Sequence, residues 1–255
     1  NSIELFKFER IGEGAEALKA LNADVMLTAS YGQMLPDEIL SLCPYGVINT
    51  HASVLPKYRG ASPIQAALEA GDAETGVSVM RTVKKMDAGD VIKVSKIKLT
   101  GDENSAECFE KLAVIAGSLV VEVLDEPESG KAVFTPQNES EATYCKKLKK
   151  SDGLIDFTLP ALTVHNKVRA YYGFPGTYFE YRGRIVKIIR SSVGADAGVA
   201  PATVVCSDPK RGLKIQCASG SGVLTAELVQ GEGGKVMSAS DYLRGHKIEE
   251  GSVIG

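Results

Sequence analysis

A chain of 255 residues has room for one large domain or two ordinary ones, and 44% hydrophobic with 24% charged residues is the balance of a globular protein, which excludes disordered and collagenous classes. The apolar stretch 112–124 is interrupted by Gly117, Ser118 and Glu122; it is too short to cross a bilayer and reads as a buried helix. The formal net charge of −3 hides an asymmetry, because residues 1–142 hold 13 Lys and Arg against 22 Asp and Glu, a balance of −9, and residues 143–255 hold 16 against 10, a balance of +6.

In chain order, 15–21 has helical spacing and 24–28 is a buried-strand candidate. A short helix with Pro in its first turn is expected at 36–42, a second buried strand at 46–49, and a loop at 50–60. Ser62 can cap a helix that begins at Pro63, carries Ile64, Ala67 and Leu68 on one face and stops at Gly71. Strands are expected at 76–81 and 91–99. A long amphipathic helix follows at 105–123, with Phe109, Leu112, Ile115, Ala116, Leu119 and Val120 on its apolar face. This alternation predicts an α/β layer with a largely parallel sheet.

The charge changes sign in a polar, turn-rich stretch around 126–141, so the expected division is a first domain at 1–127, a linker at 128–142 and a second domain at 143–255. The second domain opens on the basic run Lys146-Lys147-Leu148-Lys149-Lys150, read as a solvated face. It continues with a helix at 161–171 whose apolar face is Val164, Val168 and Tyr171. Strands at 177–181, 185–191, 202–206, 213–217 and 223–229, with Gly-containing turns between them, suggest a small barrel; an open sheet or sandwich is the alternative. The positive balance suits a polyanionic partner.

Five Cys (Cys43, Cys108, Cys145, Cys206 and Cys217) with no C-x-x-C pair argue against a disulfide framework or a thiolate zinc site, and read as small buried hydrophobes in a reducing, cytoplasmic setting. The chain opens Asn1-Ser2-Ile3 with neither an initiator Met nor a signal peptide, so a fragment is expected.

The densest run of chemically unusual residues is 46–65. Side chains at i and i+2 of a strand share a face, so Asn49 and His51 project together at a strand's carboxyl end, the edge where open α/β sheets bind ligands. An amide that donates to a developing oxyanion, beside an imidazole that moves a proton, suits acyl transfer. A carboxylate that orients the imidazole completes the set; Asp87 is the first candidate, because Gly89 lets its loop approach, and Asp90 is the rival. Lys57 and Arg59 add positive charge beside this pocket. His165 and His246 lack such a setting and read as structural.

The run Asn49-Thr50-His51-Ala52-Ser53-Val54-Leu55-Pro56-Lys57-Tyr58-Arg59-Gly60-Ala61-Ser62-Pro63-Ile64-Gln65 is followed by Glu74-Thr75-Gly76-Val77 and Asp87-Ala88-Gly89-Asp90. Together they resemble the methionyl-tRNA formyltransferase branch of the folate-dependent formyltransferases, and the resemblance covers nearly the whole chain. It implies a Rossmann-like formyltransferase domain, incomplete at its amino terminus, followed by a small OB-like β-barrel that binds tRNA. The implied reaction is formyl transfer from 10-formyltetrahydrofolate to the α-amine of methionyl initiator tRNA, with no metal; a monomer is the default expectation, and the apolar runs suggest no membrane partner. Asn49, His51 and Asp87 match the family's catalytic positions. Ser53, Val54, Leu55 and Pro56, with Tyr31, Gly32 and Gln33, match its folate-contacting segments.

Two departures stand out. Set against the family pattern, the sequence from Asn1 onward is expected to lack the family's opening βα units and a basic loop toward the tRNA, and Tyr172-Gly173-Phe174-Pro175 replaces a Trp-containing turn in a chain without Trp. Lys146, Lys147, Lys149, Lys150, Lys167, Arg169, Arg182, Arg184, Lys187 and Arg190 match the expectation of a basic tRNA-binding domain. The competing readings are a formyltransferase acting on a sugar-nucleotide amine and a non-catalytic RNA-binding module.

Overall fold

The computed structural model describes residues 3–128 and 133–254, so residues 129–132 of the expected linker lie outside the described residues. The chain forms two compact units: Asn1–Pro63, Glu74–Lys98 and Glu110–Lys146 make one, and Ile64–Ala73, Leu99–Phe109 and Lys147–Gly255 make the other.

The first unit is built on a four-stranded sheet of β1 (Met26–Ala29), β2 (Val47–His51), β4 (Glu74–Arg81) and β5 (Val91–Lys98), in that spatial order. Parallel pairing of β1 with β2 sets Thr28 beside Asn49, and antiparallel pairing of β2 with β4 sets His51 opposite Ser78. β4 and β5 are also antiparallel, so the expectation of a largely parallel sheet is corrected to one parallel and two antiparallel pairs. The connection 82–90 is shorter than the roughly dozen residues a parallel crossover needs, so β5 must return as a hairpin partner.

α1 (Ala15–Ala20) and α2 (Asp37–Leu40) lie where helical spacing predicts them, and Ala15 and Ile39 share a core cluster with Val47 of β2. A two-residue parallel pair, β3 (Arg59–Gly60) with β6 (Tyr144–Cys145), is too short to leave a periodic trace in the sequence. α3 (Pro63–Ala70) is the expected helix, and Gly71 ends it at φ +72°. α4 (Ser105–Glu128) runs further than its periodicity suggests. It is amphipathic, not buried throughout: Leu112, Leu119, Val120 and Val123 are covered while Phe109, Val114 and Val121 are exposed, which corrects the buried-helix reading and removes Phe109 from the apolar face.

The second unit contains α5 (Ala161–Ala170) and an antiparallel sheet in the order β7 (Thr177–Tyr181), β8 (Arg184–Gly194), β11 (Val223–Gly231), β10 (Gly212–Gln216), β9 (Val204–Asp208), with β12 (Met237–Ser238) added to β11. Arg182 and Gly183, both at positive φ, form the tight turn that joins β7 to β8. The strands share one interior: Phe179, Ile188, Val204, Leu213, Ile215 and Leu224 gather in a single core with Val164 and Val168 of α5. Register shifts interrupt the pairing of β11 with β8 between Ala226 and Val229, an irregularity of the kind that bends a strand. α6 (Ala239–Gly245), unforeseen, is capped by the Ser238 hydroxyl, which accepts from Asp241 N–H, and seals the same core with Tyr242 and Leu243.

Candidate active site

β2 carries Asn49 and His51 on one face and delivers them at its carboxyl end. Thr28 on the adjacent β1 donates its hydroxyl hydrogen to Asn49 Oδ1 at 2.9 Å. The Asn49 carbonyl is thereby held by the sheet, and its NH2 remains the group suited to an incoming oxygen.

His51 is buried, and its Nε2 lies 2.8 Å from the Tyr58 carbonyl oxygen. A carbonyl can only accept, so Nε2 carries the hydrogen and Nδ1 is the ring atom left to take or give a proton. Nδ1 faces Asp87 Oδ2 at 3.7 Å, an ion-pair distance too long for a direct hydrogen bond. The same oxygen accepts the Gly60 N–H at 2.8 Å. Of the two candidate carboxylates, Asp87 is the one beside the imidazole. Asp90 contributes its backbone carbonyl to the Arg81 N–H at the end of the β4–β5 ladder.

The loop 52–58 is folded around Ser78 of β4. The Ser78 hydroxyl donates to Ser53 O at 2.7 Å and accepts from Leu55 N–H at 3.0 Å, while Ser53 Oγ donates to Lys57 O at 2.6 Å. Ser53 and Leu55 are buried, and Val54 and Pro56 are half-buried beside them. Tyr31, Gly32 and Gln33 follow β1 and leave the sheet at the same carboxyl edge, all three exposed. The Gln33 side chain is tied to the segment before α1, donating to Glu9 O and accepting from Ile11 N–H.

Two basic residues differ from expectation. Lys57 is exposed, but Arg59 is wholly buried in a polar cage, with hydrogen bonds to Gln137, Glu139 and Tyr144. Its charge is therefore spent inside the protein. Hydrogen bonds from Arg59 and then from Lys85 pull the Glu139 carboxyl down to about 2. Arg169, read from sequence as part of a tRNA-binding surface, is likewise buried; it donates to Glu103 O and Asn166 Oδ1 within the second unit, which removes it from the phosphate-binding set. Lys147, Lys149 and Lys150 are exposed, as the solvated-face reading requires.

Sequence reasoning missed Thr28, Ser78 and Gln137. Each acts through a hydrogen bond to a partner at least 21 residues away, and no local spacing announces such a bond.

The family model "Formyl transferase" matches residues 7–124, and "Formyl transferase, C-terminal domain" matches 147–247. The chain is 36% identical over 255 residues to a methionyl-tRNA formyltransferase of Sulfurihydrogenibium sp. (strain YO3AOP1), across 98% of this chain and 81% of that protein. It is 38% identical over 257 residues to the enzyme of that name from Solibacter usitatus (strain Ellin6076), across 100% of this chain and 81% of the relative. Solved structures share the fold. HypX from Aquifex aeolicus in complex with tetrahydrofolic acid has a TM-score of 0.66 at 19% identity, covering 90% of this chain and 40% of that one. Methionyl-tRNA formyltransferase from Clostridium thermocellum has a TM-score of 0.59 at 22% identity, covering 70% and 76%. With both domain models in order and identity above one third along nearly its whole length, the chain belongs to the methionyl-tRNA formyltransferase family of formyl transferases.

Proposed function

We propose that this protein transfers a formyl group from 10-formyltetrahydrofolate to the α-amino group of methionyl initiator tRNA, as a cytoplasmic monomer. In this reading residues 1–127 are the catalytic domain, 128–142 a linker and 143–255 the tRNA-binding domain. The observation that carries the chemistry is the grouping of an amide, a tautomer-defined imidazole and a carboxylate at the carboxyl end of β2.

The folate supplies an activated formyl group. The residues present fit such a donor: Ser53, Val54, Leu55 and Pro56 form a wall stiffened by Ser78, Tyr31, Gly32 and Gln33 leave the same sheet edge, and Asn49 offers N–H groups to an acyl oxygen. A bond forms between the methionyl nitrogen and the formyl carbon, and the bond from that carbon to the folate nitrogen breaks. Asn49 Nδ2 stabilises the charge gathering on the formyl oxygen. His51 Nδ1 takes the amine proton and returns it to the departing folate nitrogen, while Tyr58 O holds Nε2 and Asp87 stabilises the imidazolium.

The test is formyl transfer to methionyl initiator tRNA by the wild-type chain and by His51→Ala. Product formation with a loss on the order of 100-fold in the variant supports the assignment. Transfer that is equally fast without His51, or binding of the tRNA with no transfer, overturns it.

A further inference from the structure

Asp87 sits on the exposed-rimmed connection 82–90 at φ +47°, a conformation that non-glycine residues seldom keep without support. The support comes from Gln137, half-buried in a stretch that the sequence presents as linker. Its Nε2 donates to Asp87 O at 2.8 Å and to Gly89 O at 2.7 Å. Its Oε1 accepts from Arg59 Nε at 3.1 Å and Nη2 at 2.9 Å. The orientation of the amide is chemically forced, because a guanidinium only donates and a carbonyl only accepts. Both amide hydrogens and both carbonyl lone pairs are used, so nothing of Gln137 remains for a substrate.

These bonds close a circuit. The residue after Arg59, Gly60, donates its N–H to the Asp87 carboxylate, and the Arg59 side chain returns through Gln137 to the Asp87 backbone. Asp87 is thus held at its side chain and at its main chain by one connected group. A glycine is needed at 89 because a Cβ there would collide with the Arg81 carbonyl oxygen.

We infer that Gln137, locked in place by Arg59, is a positioning residue that sets the Asp87 carboxylate against His51 Nδ1. The inference rests on the functional reading above and adds a residue to it. The measurements are steady-state formyl transfer, thermal unfolding and a nitrogen NMR titration of the His51 ring, on wild type, Gln137→Ala, Gln137→Glu and the combination of Gln137→Glu with Asp87→Ala. Gln137→Glu keeps an acceptor for Arg59 but turns a carboxylate toward the Asp87 and Gly89 carbonyls, which separates loss of positioning from loss of the buried arginine's partner.

The expected result for Gln137→Glu is a kcat lower by about tenfold, with KM for both substrates nearly unchanged and a displaced His51 titration. In the Asp87→Ala background the same change adds less than about twofold, because the residue it positions is gone. A full, multiplicative loss in that background, a change confined to KM, or an unmoved His51 titration overturns the inference. A displaced His51 titration in a protein that does not formylate methionyl-tRNA supports the positioning role and counts against the functional reading instead.

Discussion

At the scale of single residues, the site is organised by which hydrogen-bonding capacity is already used. Tyr58 O occupies Nε2 of His51, which leaves Nδ1 as the nitrogen open to a proton in the proposed reaction, and Thr28 occupies Oδ1 of Asn49, which leaves the amide hydrogens as its open donors. Removing one orienting bond of this kind should lower kcat by about three- to tenfold. Thr28→Val therefore gives a slower enzyme of unchanged stability, measured as formyl-transfer rate beside thermal unfolding. Glu139 sets a pH dependence. Its folded value, about 2, lies below the ordinary 4.5, so the unfolded chain binds the proton more tightly. The stabilisation is complete above 4.5 and is lost as pH falls toward about 2. Melting curves of wild type and Glu139→Gln, recorded from neutral to acidic pH, should differ at neutrality and converge at the acid end. Of the five thiols, Cys217 is pushed up to about 11 by burial, so it should resist alkylation until the protein unfolds, read by mass spectrometry before and after denaturation.

At the scale of elements, β4 does more than complete a sheet. Its six central residues are buried, and one of them, Ser78, fastens the loop 52–58 across two hydrogen bonds. Ser78→Ala leaves a buried carbonyl and a buried N–H without their partner, and should destabilise the protein by about 1–3 kcal/mol while weakening folate binding. Denaturant unfolding and folate titration check both effects. Helical periodicity predicted α1, α3 and α5 well, because each has an apolar stripe that one local window displays. Strand direction did not follow from the same patterns. A strand buried on both faces looks alike in parallel and antiparallel company, and the orientation of β4 and β5 is decided by chain connection and pairing.

At the scale of the whole molecule, the charge imbalance between −9 and +6 is a property of composition, but which cations are free to meet a phosphate is a property of the fold. Arg169 is consumed by Glu103 and Asn166, while Arg182 and Arg190 are paired with Glu249 and Glu227 at the surface. Lys147 and Lys150 are exposed at the start of the segment Lys147–Gly255 of the second unit. Replacing both by Ala should weaken tRNA binding and reduce the slope of log affinity against log salt by about 1–2, with folate affinity unchanged. The equivalent change at Arg169 should chiefly destabilise the second unit. Salt-dependent binding titrations and melting curves separate the two effects.

Much of this protein was already determined by its sequence: the order of its longer helices and strands, the common face of Asn49 and His51, the choice of Asp87 over Asp90 as first candidate, and the family to which the run 49–65 points. Those features are local. They depend on residue spacing within one element or one continuous motif, where backbone geometry fixes which side chains share a face. Tertiary structure alone decided the rest. It turned Arg59 inward, tied Gln137 to the Asp87 loop, set Ser78 beneath the loop 52–58 and withdrew Arg169 from the surface. Each of these depends on a polar group finding its partner dozens of residues away. Burial makes that partner obligatory, and no neighbour in sequence names it.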